Sequence, residues 1–183
     1  VYGSTTGVYS VGTGILTTVS DNAVFGNYQY GVYGSSNTLV TGNEVYGHDE
    51  ANDWGIYVTD NANAVDNVVH HNYNGIYANY GADAIGNRVY ANLSLGVAID
   101  HGSNAEGNRV YDNSVGIWGY GHSAGAVRNN LIYANGNQGI VLAGANGTDI
   151  INNTIFQPVG DAIRVQGSSY GVDIRSNILW VQD

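Results

Sequence analysis

A six-residue pattern returns about every 22 residues along this chain: Asn, a variable residue, Val/Ile/Leu, an aromatic, a variable residue, then usually a second Asn. It reads Asn22-Ala-Val-Phe-Gly-Asn27, Asn43-Glu-Val-Tyr-Gly-His48, Asn67-Val-Val-His-His-Asn72, Asn87-Arg-Val-Tyr-Ala-Asn92 and Asn108-Arg-Val-Tyr-Asp-Asn113. Asn130-Leu-Ile-Tyr-Ala-Asn135, Asn153-Thr-Ile-Phe-Gln-Pro158 and Asn177-Ile-Leu-Trp-Val-Gln182 complete the series. The leading asparagines are 21, 24, 20, 21, 22, 23 and 24 residues apart. A near-constant step over the whole length means one supersecondary unit repeated, with no internal domain boundary.

Eight to twelve residues after each leading Asn comes Gly-Val/Ile and a variable residue: Gly31-Val-Tyr, Gly55-Ile-Tyr, Gly75-Ile-Tyr, Gly96-Val-Ala, Gly116-Ile-Trp and Gly139-Ile-Val, with Ala162-Ile-Arg in the last full repeat. A third short segment precedes the next Asn, as in Ala62-Asn-Ala-Val65 and Ala82-Asp-Ala-Ile85. None of these segments has helical periodicity. The 27 glycines and the many asparagines suit tight corners and argue against long helices. Each repeat is therefore one coil of three β segments and three corners. Stacking the coils aligns Val24, Val45, Val69, Val89, Val110, Ile132, Ile155 and Leu179 into one apolar column and the Gly-Ile positions into another. The expected fold is all-β, a single-stranded parallel β-helix of about eight coils of 20–24 residues, with residues 1–183 as one domain.

These repeats resemble the right-handed parallel β-helix family with the pectate-lyase-like fold, in particular the repeats of NosD-type proteins and of the catalytic modules of mannuronan C5-epimerases. The resemblance covers essentially the whole chain and is carried by scaffold residues. The asparagines are expected to stack as amide ladders at a corner and to adopt the left-handed conformation it needs. The aromatic column Tyr2, Phe25, Tyr46, His70, Tyr90, Tyr111, Tyr133, Phe156 and Trp180 is expected to stack as well. At ~4.8 Å per coil, eight coils make a rod of roughly 38 Å.

Composition removes several functions. With 15 acidic residues against five arginines and no lysine, the net charge of −10 repels nucleic acid and anionic membranes. No apolar run is long enough to span a bilayer, and without cysteine there is no disulfide or thiolate chemistry. There is no Gly-x-Ser-x-Gly, phosphate loop or HExxH. The start in mid-repeat and the lack of charged terminal strands lead to two expectations: a segment of a longer β-helix, or a unit that stacks on copies of itself through open strand edges.

Chemistry should sit where the repeat breaks. Alternation sends the residue after each Gly-Ile outward, and the one two further on as well. Coil by coil that face reads Tyr33/Ser35, Tyr57/Thr59, Tyr77/Asn79, Ala98/Asp100, Trp118/Tyr120, Val141/Ala143 and Arg164/Gln166. The aromatic stripe is interrupted at Ala98, beside Asp100; His101 follows directly and His122 follows Tyr120 by two. Tyr33, Tyr57, Asn79, Trp118 and His122 are the expected glycan-contacting residues, rings for sugar faces and amides for hydroxyls. Read as catalytic, Tyr77, Asp100, His101 and Tyr120 supply the base and acid that uronate epimerases and lyases place on either side of the sugar. The epimerases carry Tyr-Gly-x-Asp-Pro-His; here Tyr46-Gly47-His48-Asp49-Glu50 lacks the Pro-His part and lies on the Asn-x-Val-aromatic segment instead. A second break is the insertion His48-Asp-Glu-Ala-Asn-Asp-Trp54, whose Asp49, Glu50 and Asp53 form an oxygen-rich calcium candidate. His70-His71 is a lesser zinc candidate. Arg88 and Arg109 occupy equivalent positions and are expected to pair with Glu44 or Glu106, or to meet a substrate carboxylate.

Three function classes follow. The leading expectation is an extracellular or cell-surface structural or adhesive repeat domain that self-associates end to end. The alternative is a polysaccharide-binding or polysaccharide-modifying domain of C5-epimerase or lyase type, using the aromatic groove around Asp100. The third is a calcium-dependent surface module. No cofactor is required by any of them except calcium in the last. The expected partner is a second copy of the chain or a polysaccharide, with no nucleic acid and no insertion into a membrane.

Overall fold

The computed structural model describes residues 1–182, and they form the expected solenoid. Its 24 strands fall into three parallel sheets of eight, each taking every third strand in chain order. The front sheet holds Thr6–Val11, Tyr30–Ser35, Trp54–Thr59, Asn74–Ala78, Leu95–Ile99, Val115–Gly119, Gln138–Ala143 and Ile163–Gln166. The side sheet runs from Thr17–Ser20 to Asp173–Arg175, and the rear sheet from Ala23–Phe25 to Ile178–Val181.

Register follows the repeat. On the rear sheet Val45 pairs with Val69, Val89 with Val110 and Ile132 with Ile155. On the front sheet Val32 pairs with Ile56, Ile76 with Val97, and Ile117 with Ile140. These columns are fully buried and meet the small side-sheet residues Ala64, Ala84 and Ala105 in one continuous core. The front-strand glycines are dictated by close approach. A Cβ on Gly96 would lie 2.6 Å from the Gly116 carbonyl oxygen and 2.6 Å from Val110 Cγ1, so any side chain there forces the coils apart.

Two amide ladders close two of the corners. In the first, Asn22, Asn43, Asn67, Asn87, Asn108, Asn130, Asn153 and Asn177 are joined coil to coil. Asn87 is typical: its Nδ2 donates to Asn108 Oδ1 at 3.0 Å and to the Ala64 carbonyl at 2.8 Å, and its backbone N–H donates to Asn108 Oδ1 at 2.9 Å. Interior members are buried with donors and acceptors matched, which removes the cost of enclosing polar groups. The left-handed conformation falls one residue earlier than expected, on Asp66, Gly86, Gly107, Asn129 and Asn152 rather than on the ladder asparagines. The second ladder reads Asn27, His48, Asn72, Asn92, Asn113 and Asn135. His48 is thus a wholly buried ladder member and not part of the acidic loop.

The rear aromatics form the expected stacked column from Tyr2 to Tyr133, with ring centroids 5.2 Å apart for Tyr46 and His70, 4.9 Å for His70 and Tyr90, and 4.8 Å for Tyr111 and Tyr133, whereas Phe156 meets Trp180 edge-on at 5.1 Å. Arg88 and Arg109 belong to that column. Arg88 donates to the Tyr111 hydroxyl at 2.6 and 2.9 Å and Arg109 to that of Tyr133 at 2.8 Å. Their expected acidic partners are engaged elsewhere, Glu106 with Arg128 at 2.8 Å and Glu44 with His70 at 3.3 Å.

Candidate functional site

The front sheet carries the departures from the repeat. Its outward column is Tyr9, Tyr33, Tyr57, Tyr77, Ala98, Trp118, Val141 and Arg164, paired in register as the sequence spacing requires. Tyr9 and Tyr33 stack at 4.8 Å, Tyr33 and Tyr57 at 5.4 Å, and Tyr30 meets Tyr57 edge-on at 5.2 Å. Below Tyr57 the stack breaks: Tyr77 turns edge-on to it and instead lies against Trp54 at 5.0 Å.

Ala98 was expected to open a gap in the stripe. It is fully buried. With no ring at that position, Tyr77 from the coil before and Tyr120 from the coil after lean over it until their centroids are 5.8 Å apart. The opening lies to one side. It is a cleft of about 420 Å³ lined by Trp54, Tyr73, Asn74, Tyr77, Leu95, Trp118 and Tyr120, together with Asn52 and Ser94. Of these, Tyr77, Trp118 and Tyr120 were legible from the outward alternation. Trp54, Tyr73, Asn74 and Leu95 were not, because they sit at the starts of front strands, where the chain turns a corner and alternation no longer says which way a side chain points. The one available signal was the long insertion that ends on Trp54. The Trp118 indole N–H is buried with no partner.

On the other side of the two tyrosines, at the strand ends, lies Asp100. It is 8% exposed although its row faces outward, because the neighbouring rings cover it. Its Oδ1 accepts the backbone N–H of His101 at 2.8 Å and that of His122 at 3.2 Å. Its Oδ2 lies 3.2 Å from His101 Nδ1 and accepts a long bond from the Tyr77 hydroxyl at 3.5 Å. Asn79 joins the group, with Oδ1 3.1 Å from His101 Nδ1 and Nδ2 donating to the Tyr57 hydroxyl at 3.4 Å. His101 is sandwiched between Tyr80 at 4.2 Å and His122 at 4.7 Å. Tyr57, Tyr77, Asn79, Asp100, His101, Trp118, Tyr120 and His122 thus form one connected surface, and Tyr33 extends it along the ring stack. Burial first, and the Asp100 charge second, push the Tyr77 and Tyr120 hydroxyls above the ordinary phenol range, so both are held as proton donors.

The acidic loop is built differently. Asp49 and Glu50 are exposed while Asp53 is buried, with Oδ2 lacking a partner. Burial, with Glu50 and Asp49 adding to it, raises the Asp53 carboxyl to about 6. Among the described residues the one trio of His, Asp or Glu whose ligand atoms all lie within 4.8 Å of one another is Asp100, His101 and His122, and neither Asp49, Glu50 and Asp53 nor the His70–His71 pair makes such a trio.

A family model described as the right-handed β-helix region matches residues 32–179. No curated protein matches the chain by sequence. Among solved structures the chain is similar to the periplasmic alginate epimerase AlgG, with 17% identity and a TM-score of 0.75 over 100% of this chain and 49% of that one. It is similar to the A-module of the mannuronan C-5 epimerase AlgE6 of Azotobacter vinelandii, with 17% identity and a TM-score of 0.62 over 90% of this chain and 58% of that one. It is also similar to pectate lyase Pel9A, with 17% identity and a TM-score of 0.52 over 93% of this chain and 69% of that one. At these identities the likeness is one of fold, and the chain spans about half the length of AlgG.

Proposed function

The chain belongs to the right-handed β-helix family, and from that premise we propose that it binds a polysaccharide across its front sheet, at the cleft between Trp54 and Trp118. The observation that carries this reading is the cleft itself. Aromatic faces from three coils surround a space of about 420 Å³. Sugars present apolar faces edged by hydroxyls, and such a site offers rings for the first and the Tyr77 and Tyr120 hydroxyls for the second. The solved structures that share the fold and are named above are polysaccharide epimerases and a lyase, which agrees with a carbohydrate ligand and with a periplasmic, extracellular or surface setting. The structural or adhesive role and the calcium-dependent role draw no comparable support from the site.

Binding is favoured over turnover on a specific ground. The four candidate proton-transfer groups Tyr77, Asp100, His101 and Tyr120 are indeed together, yet both phenols are held protonated and Asp100 already accepts two backbone amides. Neither phenol is therefore poised as the base that proton abstraction from a sugar carbon requires.

The test is a titration of neutral and uronic oligosaccharides against the intact chain by calorimetry. Trp118→Ala and Tyr77→Ala should each weaken binding at least about tenfold, the scale of a lost stacking contact of ~1.5 kcal/mol, with the circular dichroism spectrum unchanged. Unaltered affinity in both folded variants would remove the cleft from the reading. Tyr120→Phe that keeps affinity but abolishes a measurable lyase or epimerase activity would move the assignment from binding to turnover.

A further inference from the structure

We infer that Asp100, His101 and His122 form a binding site for a borderline divalent transition-metal ion, of which Zn2+ is the representative, and that the ion receives the carboxylate of an acidic sugar. The second clause rests on the carbohydrate reading above; the first does not.

The three ligand atoms lie within 4.8 Å of one another. Two imidazoles and one carboxylate are the donor set that suits zinc and its neighbours better than calcium or magnesium. Three protein ligands with a further position left open is the arrangement that lets a metal engage a substrate. The scaffold fixes the spacing, because Asp100 and His101 come from one coil and His122 from the next. Asp100 is oriented in advance: its Oδ1 is clamped by the His101 and His122 backbone amides at 2.8 and 3.2 Å, which leaves Oδ2 as the ligating atom. Asn79 Oδ1 lies 3.1 Å from His101 Nδ1 and Asp100 Oδ2 lies 3.2 Å from it, so the plane of the His101 ring is held from two sides. The His101 and His122 rings lie nearly parallel at 14°, with centroids 4.7 Å apart.

Charge supplies the independent reason. The chain has no lysine and a net charge of −10, and its five arginines are all engaged: Arg88 and Arg109 with rear-sheet hydroxyls, Arg128 with Glu106, Arg164 with Asp161 and Arg175 with Asp173. No cationic side chain on this surface is free to hold an anionic sugar, and an uncompensated carboxylate beside Asp100 would be repelled. A dication held by Asp100 reverses the sign of the field at that point.

The experiment titrates the intact chain with Zn2+ in competition with a chromophoric chelator, followed by a uronic oligosaccharide with and without the metal. One ion per chain is expected, with affinity lowered at least about tenfold by His122→Ala and by Asp100→Asn and unchanged by His71→Ala. His122 is exposed, so its truncation leaves the fold intact. Failure to take up one ion, or uptake that survives both His122→Ala and Asp100→Asn, overturns the site. Stoichiometric uptake lost in those variants upholds it even if no uronate binds with or without the metal, and that result would count against the carbohydrate reading instead. Uronate binding that is indifferent to the metal and to His122→Ala would leave the carbohydrate reading standing and remove the role assigned to the ion.

Discussion

Replacing His48 by Asn should make the protein more resistant to acid, and the reason is visible in the second ladder. At its other interior positions an amide passes one donor and one acceptor along the solenoid axis. At position 48 a neutral imidazole does the same. Its Nδ1–H donates to Asn72 Oδ1 at 2.8 Å, and its Nε2 accepts from Asn27 Nδ2 at 3.1 Å. Protonation would put a hydrogen on Nε2 facing the Asn27 amide donor, with the ring fully buried and no water to intervene. Turning the Asn27 amide over would not help, because its Oδ1 holds the Ser4 backbone N–H at 3.1 Å. Burial accordingly lowers the His48 pKa, against smaller opposing contributions from Asn72 and Asp49. The sign follows from linkage: the unfolded chain takes up the proton first, so the native state loses stability as pH falls below the unfolded value of about 6.5. For a ring that stays neutral in the fold the loss is about 1.4 kcal/mol at pH 5.5 and approaches 2.7 kcal/mol at pH 4.5. The assay is urea denaturation of the wild type and His48→Asn from pH 8 to pH 4.5. The smaller Asn side chain adds an offset from lost packing, but that offset is independent of pH. The difference between the two proteins should grow in favour of the variant as pH falls, with those amounts as its upper limits. A difference that stays flat across the range, or grows the other way, would refute the assignment of His48 as a neutral ladder member.

Two further outcomes follow from the same scaffold. Asn108→Ala removes the acceptor for the Asn87 side-chain and backbone donors, and the donor to the Ala84 carbonyl and Asn130 Oδ1. With several buried groups left unpaired, it should cost about 3 kcal/mol or more in urea unfolding, whereas Asn22→Ala at the exposed end of the ladder should cost under about 1 kcal/mol. Asp53→Asn should act oppositely to the histidine change. The raised Asp53 carboxyl favours the fold when protonated and burdens it when ionised, so the variant's advantage should appear as pH rises from about 4 through about 6 and then level off. A constant difference over that range would mean that Asp53 ionises in the fold as freely as in the unfolded chain.

The fold was legible because every coil repeats it: the Asn-x-Val-aromatic and Gly-Ile columns pair in the register that their spacing implied. The site was legible in part, and the boundary is physical. Alternation along a strand located Tyr77, Asp100, Trp118 and Tyr120, since a strand dictates which side of the sheet a residue takes. It could not locate Trp54, Tyr73 or Leu95, which stand at corners. It also misjudged Ala98. A small residue in one coil looks like an opening when that coil is considered alone. In a solenoid the neighbouring coils sit close above and below, so the space is taken by whichever large side chains flank it, here Tyr77 and Tyr120. Their movement over Ala98 turns Tyr77 out of the tyrosine stack and onto Trp54, which leaves Trp118 as the opposite wall of a cleft. It also brings the Tyr77 hydroxyl over Asp100. One missing ring thus shapes both ends of the site at once. In a repeat protein of this kind, the residues that carry function are to be sought in the coils on either side of a departure as much as at the departure itself.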